Sequence, residues 1–286
     1  MFKFLFLSLI LVGVGFCDCN LLQKQDKDIF EVAFGKNVAY CDDSMLYIKT
    51  LPDLKNVFDL KISTDKVTSI AFMDSDLVVG FSSGYALLLH PNKSQETLID
   101  PIKSGFIEQI SSINVGKDKL IFTIGRNTVL VHDTISKIQK KTTININSKI
   151  IATTLDKNSL YIATFDRNLY MLDVTNFKLS GLSKTGNLIT SLAFMDTKPL
   201  IGLSDGSVMY GDQKYTISSK AIEAIRVING EIFVADASGV VRKFDNKFNL
   251  KNEIKAGNDT IRDMFIDKNG NLIVMLWNAS VYTCKF

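Results

Sequence analysis

The chain is predicted to be all-β, and three observations carry that prediction. Short apolar runs rich in Val, Ile, Leu, Phe and Tyr recur from Ile29 onward, each bounded by Asp, Asn, Gly or Ser. The turns between these runs fall at nearly constant spacing. Beyond Phe16 no stretch sustains a helical period, and the 286 residues include only four prolines.

Taken in order, the chain opens with Lys3 followed by an apolar run over 4–16, with Gly13 and Gly15 near its end. A positive start, an apolar run and small residues at a cleavage point describe a secretory signal over 1–15. The run is shorter than the roughly 20 residues that a spanning helix needs, so no stable membrane anchor is expected after cleavage. Bulky Phe16 stands before Cys17, where bacterial lipoprotein signals carry a small residue, which argues against lipid attachment there. The expected location is periplasmic or secreted.

After a polar segment come a strand at 29–34, a hairpin at 37–48 (NVAYCDDSMLYI) and a strand at 57–62. The hairpin at 199–212 (PLIGLSDGSVMYGD) shows the recurring pattern: an apolar strand, a tight turn at Ser204, Asp205 and Gly206, and a second strand. Gly allows the positive φ that such a turn requires without a Cβ clash. The same pattern returns at 76–91, 119–133, 159–173, 231–245 and 271–286. Each hairpin follows an apolar first strand, beginning at Val67, Ile110, Ile150, Ile189, Ile222 and Ile261; TSIAFMD at 68–74 and TSLAFMD at 190–196 are nearly identical.

Turns at Ser44, Gly84, Asn127, Asn168, Gly206, Gly239 and Asn278 are 33 to 43 residues apart, close to the about 40–45 of a four-stranded propeller unit. Seven turns therefore predict a seven-bladed β-propeller of four-stranded blades, a single domain over 20–286. Runs such as LVVGF (77–81) and LIFTI (120–124) are apolar on both faces, as strands packed between neighbouring blades must be. Polar, Lys-rich runs at 137–143 and 249–256 suit exposed outer edges. The last unit has three strands, and residues 21–25 are expected to supply the fourth and close the ring.

With 46% hydrophobic and 22% charged residues the chain can bury a large core. Its 33 basic and 30 acidic residues leave a net charge of +3. There is no basic stripe or aromatic platform, so no nucleic-acid partner is expected. Export makes the four cysteines eligible for disulfides. Cys41 and Cys284 fall in strand-like runs in what would be adjacent blades, and either bridge the chain ends or remain as buried thiols. No zinc-type spacing is present, and neither a metal nor a cofactor is expected.

The repeat resembles WD40-type propellers: Asp133, Asp173, Asp212 and Asp245 end third strands where that family ends in Trp-Asp. The single tryptophan, Trp277, lies in a different strand, and no Gly-His dipeptide opens the units. By size, export signal and degenerate repeats the chain is also similar to the NapL-type accessory propellers associated with periplasmic nitrate reductase. That similarity implies a role exerted by contact with a partner, a periplasmic oxidoreductase or its maturation machinery, rather than by chemistry.

His90 and His132 end third strands in neighbouring units and would sit near equivalent positions; hydrogen-bonded strand ends explain them better than metal ligands or a general base. Asp42, Asp43, Asp166, Asp205 and Asp236 recur at turns. A catalytic carboxylate pair would break the repeat, whereas turn chemistry predicts one Asp per turn. No nucleophile elbow, phosphate loop or His-Glu-x-x-His motif is present, so the chain is expected not to be an enzyme. Arg126 and Arg167 occupy matching turns (GRN and DRN) and are the candidate partner contacts, as Arg is favoured at interface anchors. The expected function is thus a monomeric, exported, non-catalytic scaffold for a protein partner. The alternative is a propeller enzyme or small-ligand binder using the central funnel.

Overall fold

The computed structural model describes residues 19–24, 28–62, 65–105 and 107–285. The expected signal at 1–15 and Cys17 lie outside the described residues. Strand β1 (Cys19–Gln23) comes first, and four-stranded units follow. Blade 1 holds β2 (Glu31–Phe34), β3 (Asn37–Cys41), β4 (Met45–Thr50) and β5 (Asn56–Lys61); blade 2 holds β6 (Val67–Met73), β7 (Asp76–Phe81), β8 (Ala86–Leu89) and β9 (Gln95–Ile99). A single helical turn, α1 (Pro101–Ser104), precedes blade 3, made of β10 (Ile110–Val115), β11 (Lys119–Ile124), β12 (Thr128–Asp133) and β13 (Gln139–Thr143). Blade 4 holds β14 (Ile150–Asp156), β15 (Ser159–Thr164), β16 (Asn168–Asp173) and β17 (Lys178–Lys184), and blade 5 holds β18 (Ile189–Met195), β19 (Lys198–Leu203), β20 (Ser207–Tyr210) and β21 (Gln213–Thr216). Blade 6 holds β22 (Ile222–Ile228), β23 (Glu231–Asp236), β24 (Val240–Phe244) and β25 (Leu250–Lys255). Strands β26 (Ile261–Ile266), β27 (Leu272–Leu276) and β28 (Val281–Cys284) complete the chain.

Each sheet keeps its strands in chain order, except that the seventh runs β26-β27-β28-β1. The first strands ring the axis, with β26 meeting β2 to close the circle. Seven four-stranded blades are thus present, and the last is completed by β1, as expected for residues 21–25 but starting two residues earlier.

The apolar residues gather into seven clusters, one in each seam between neighbouring blades. Leu77 and Val79 pack with Ala39 and Cys41 of blade 1, whereas Val78 packs with Ile110 and Phe122 of blade 3. Alternate residues of one strand therefore feed two different seams, which is why second strands are apolar on both faces; all five residues of β27 are buried. Among the described residues no helix is long and apolar enough to cross a membrane.

The same alternation rules out the bridge between Cys41 and Cys284, one of the two alternatives for these cysteines, and leaves Cys41 as the buried thiol. The disulfide joins Cys19 to Cys284, which face each other across the β1–β28 pairing with Cα atoms 4.1 Å apart. Cys41 is a buried free thiol on the side of β3 that faces blade 2, whereas Cys284 faces blade 6. The two side chains point away from their shared seam. Burial pushes the Cys41 thiol up to about 12.

Candidate functional site

Successive strands of a blade run in opposite directions, so the turns between second and third strands share a rim with the linkers between blades. Five of the covalent linkers that enter blades 2 to 7 are four to six residues long, but the one between β9 and β10, residues 100–109, has ten. Its start is built locally. The Asp100 carboxylate accepts the Ile102 and Lys103 amides at 3.0 and 3.4 Å, Pro101 takes the first helical position, and Gly105 ends the turn at φ 73°. This capped turn holds Ile102 92% exposed, and farther along the linker Ile107 is 82% exposed.

The end of this linker walls a cleft of about 370 Å³ on the blade 3–4 side of the rim. Gln109, Ser111, Gly125, Arg126, Asn147, Ser148, Lys149 and Phe165 line it. Backbone bonds fix its shape: the Gly125 amide donates to the Gln109 carbonyl at 2.8 Å, and the Phe165 amide to the Lys149 carbonyl at 2.9 Å. Phe165, at a turn tip, is 64% exposed. Among the described residues the side chains of Arg126 and Lys149 have no hydrogen-bond or ion-pair partner. Arg167, on the next matching turn, donates to the Gly186 carbonyl at 2.9 Å and lies outside the cleft lining. Of the two arginines singled out in the sequence, one joins the cleft and the other ties down its own blade. Ile102, Ile107, Lys149 and Phe165 were not anticipated. The available signal was the 43-residue gap between Gly84 and Asn127, the longest in the series.

The turn carboxylates are held by their own turns. Asp42 accepts the Ser44 and Met45 amides at 2.7 and 2.8 Å, and Asp205 accepts the Ser207 amide at 3.1 Å and the Lys214 ammonium at 2.7 Å. Asp236 is buried, yet donors from Ser238, Ser218 and Arg242 outweigh desolvation and hold its carboxyl down at about 2. The third-strand aspartates serve the opposite rim, where Asp133 accepts the Ile135 and Ser136 amides and Asp245 those of Lys247 and Asn249.

The histidines are one register position apart. Leu120 faces His132 and Leu77 faces Leu89, so His132 takes the place of Leu89 while His90 takes that of Asp133. His90 Nδ1 lies 3.1 Å from the Asp76 carboxylate. His132 is buried, its Nδ1 3.2 Å from Gln139 and its Nε2 without a partner; desolvation, helped by Lys137, lowers its pKa.

The central channel encloses about 530 Å³, with Phe34, Phe72 and Phe265 among its apolar lining residues. Its polar groups sit on two arcs. Asn114 donates to Thr153 at 2.7 Å on blades 3 and 4, and Arg226 pairs with buried Asp263 at 2.5 Å on blades 6 and 7. Near the axis Arg262 stacks 4.6 Å from the Trp277 ring centroid and donates to the Phe30 carbonyl. Beside it burial pushes the Glu31 carboxyl up to about 7, against the pull of Arg262.

No family model matches the chain, and no curated protein matches it. Among solved structures the chain is similar to a crystal structure of the computationally designed Ika8 protein, with a TM-score of 0.72 and 14% identity, over 93% of this chain and 98% of that one. At that identity the likeness speaks to the fold alone.

Proposed function

We propose that the chain is a binding scaffold whose partner docks on the linker rim at blades 2 to 4. One observation carries this reading: the linker at 100–109 breaks an otherwise even repeat and presents two highly exposed isoleucines beside a cleft with an exposed aromatic ring. In repeat architectures, insertions that depart from the unit map to loops on one face, often the binding face. Exposed Phe165 and Arg126 are residue types over-represented at the cores of interfaces.

In its finer form the scaffold is exported and serves a periplasmic oxidoreductase or its maturation machinery, with the nitrate reductase system as the specific candidate. The Cys19–Cys284 disulfide supports this form, because such bonds persist in oxidising compartments. So does the apolar run that follows Lys3. The second reading, a small-ligand binder or enzyme using the channel, has the Arg226–Asp263 pair in its favour.

The test compares the mature chain with a variant in which 100–109 is replaced by the five-residue linker of 217–221. Both are immobilised and exposed to periplasmic extract, and bound proteins are quantified by mass spectrometry. The scaffold reading expects one stoichiometric partner that the shortened variant loses. Equal capture by both proteins refutes the docking face. A small molecule released stoichiometrically from the channel on denaturation would favour the second reading.

A further inference from the structure

Resting on the scaffold reading, we propose that the cleft between blades 3 and 4 takes an acidic peptide segment of the partner, with an apolar side chain seated against Phe165. Charge comes first. Of the charged groups around the cleft, Asp166, Lys103 and Arg167 have partners, whereas Glu108, Arg126 and Lys149 have none among the described residues. Asp166 accepts from Thr164 at 2.6 Å and Asn168 at 2.8 Å. Lys103 stands 3.8 Å from Asp100, and Arg167 is spent on the Gly186 carbonyl. The Glu108 carboxylate is packed over Gly125, with Oε2 1.7 Å from where a Cβ on that residue would stand. It sets one negative charge beside the lining residue Gly125. The uncommitted cations are the guanidinium of Arg126 and the ammonium of Lys149, both exposed and both lining the same cleft. Two cations against the single carboxylate of Glu108 leave the cleft net positive, with Arg126 offering an incoming carboxylate a planar fork and Lys149 a point charge.

Shape comes second. Phe165 supplies a flat apolar wall, and Ile107 stands two residues before Gln109 on the linker that forms another wall. An extended segment with a carboxylate next to a Leu or Phe side chain satisfies both features. A uniformly acidic segment leaves Phe165 in water, and a basic one meets Arg126 and Lys149 head on. The polar lining of Gln109, Asn147 and Ser148 adds donors and acceptors for the backbone of such a segment.

The probes are two dye-labelled peptides of equal length, one alternating Glu with Leu and Phe, the other with Lys in place of every Glu. Binding to the mature chain is followed by fluorescence anisotropy at low and at physiological salt. The acidic peptide is expected to bind about tenfold or more tightly than the basic one, and the margin to shrink as salt rises. Phe165→Ala should weaken the acidic peptide about tenfold. The double variant Arg126→Glu with Lys149→Glu should reverse the preference. Ile135→Ala, on the opposite rim, should leave affinities unchanged. All three changes are at exposed side chains, and circular dichroism melts verify that each variant is folded. A preference that survives charge reversal, or no measurable binding of either peptide, overturns the proposal. If the peptides fail while the shortened linker still abolishes partner capture, the scaffold reading stands and only this assignment of the cleft falls.

Discussion

Breaking the Cys19–Cys284 bond is the sharpest test of how the ring is held. The two cysteines are 265 residues apart, so the bond closes nearly the whole described chain into one loop. In the chain-entropy treatment a loop of that size removes enough freedom from the unfolded state to stabilise the fold by about 5–6 kcal/mol at 25 °C. Measured disulfides usually deliver less, so the expected loss is about 3–5 kcal/mol. Cys284→Ser, or reduction of the wild type, should therefore lower the denaturant midpoint markedly. Trp277 is a built-in reporter for the event. It belongs to blade 7 but lies 6.2 Å, edge to face, from Phe30 of blade 1, so its fluorescence follows the seam where the ring closes. In the oxidised protein, fluorescence and far-ultraviolet circular dichroism should give coincident transitions. In the reduced protein the fluorescence transition should come first, as blade 7 separates from blade 1 before the other seams give way. A midpoint change equivalent to less than about 1 kcal/mol, with the two probes still coincident, would refute the reasoning.

Three further outcomes are expected. Glu31 keeps its proton to about pH 7 in the fold against 4.5 as a free side chain, so native protein binds more protons in that window and loses stability as pH rises through it. Glu31→Gln should remove this slope and be the more stable form above pH 7 by about 1–2 kcal/mol, short of the full shift because the residue keeps some solvent contact; chemical denaturation at pH 5 and pH 8 reads it. His132 has the opposite sense: its folded pKa is lowered, so stability is complete above the ordinary histidine value and drains as pH falls below about 6.5. His132→Leu, which installs the residue that blade 2 carries at the same register position, should flatten thermal melts between pH 7.5 and pH 5. Gly206→Ala should cost about 2 kcal/mol or more in urea unfolding, because φ is +83° there and the new Cβ would lie 2.1 Å from the Ser218 carbonyl oxygen.

The blades were readable from the chain because a tandem repeat states the same strand and turn chemistry seven times, so an ambiguous run such as ISSINV is interpreted by its neighbours. Closure by the N-terminal strand was readable for the same reason: six units have four strands and the last lacks one. What failed was parity. Cys41 and Cys284 are in adjacent blades, but which seam a side chain enters changes with every residue, and the first strand of blade 7 has a bulge between Ile261 and Asp263 that the first strand of blade 1 lacks. His90 and His132 stand near equivalent positions in neighbouring blades, as read, but one register step apart. The rim patch was hidden for another reason. Ile102 and Ile107 lie in a linker whose apolar residues read like the approach to a strand, and the capped turn at Pro101–Ser104 holds Ile102 outward. Arg126 was singled out because GRN and DRN match; that Lys149 and Phe165 line the same cleft is a property of the ring, which brings blade 3 against blade 4.

The covalent closure also decides how the molecule carries tension. Cys19 and Cys284 are cross-strand neighbours, so a pull applied to the chain on the outer sides of these two residues runs through a sulfur–sulfur bond and a few peptide units. The seven sheets lie on a parallel branch that bears no load. A scaffold tethered at one end and pulled at the other would keep its rim intact while the bond lasts, and would lengthen only after reduction.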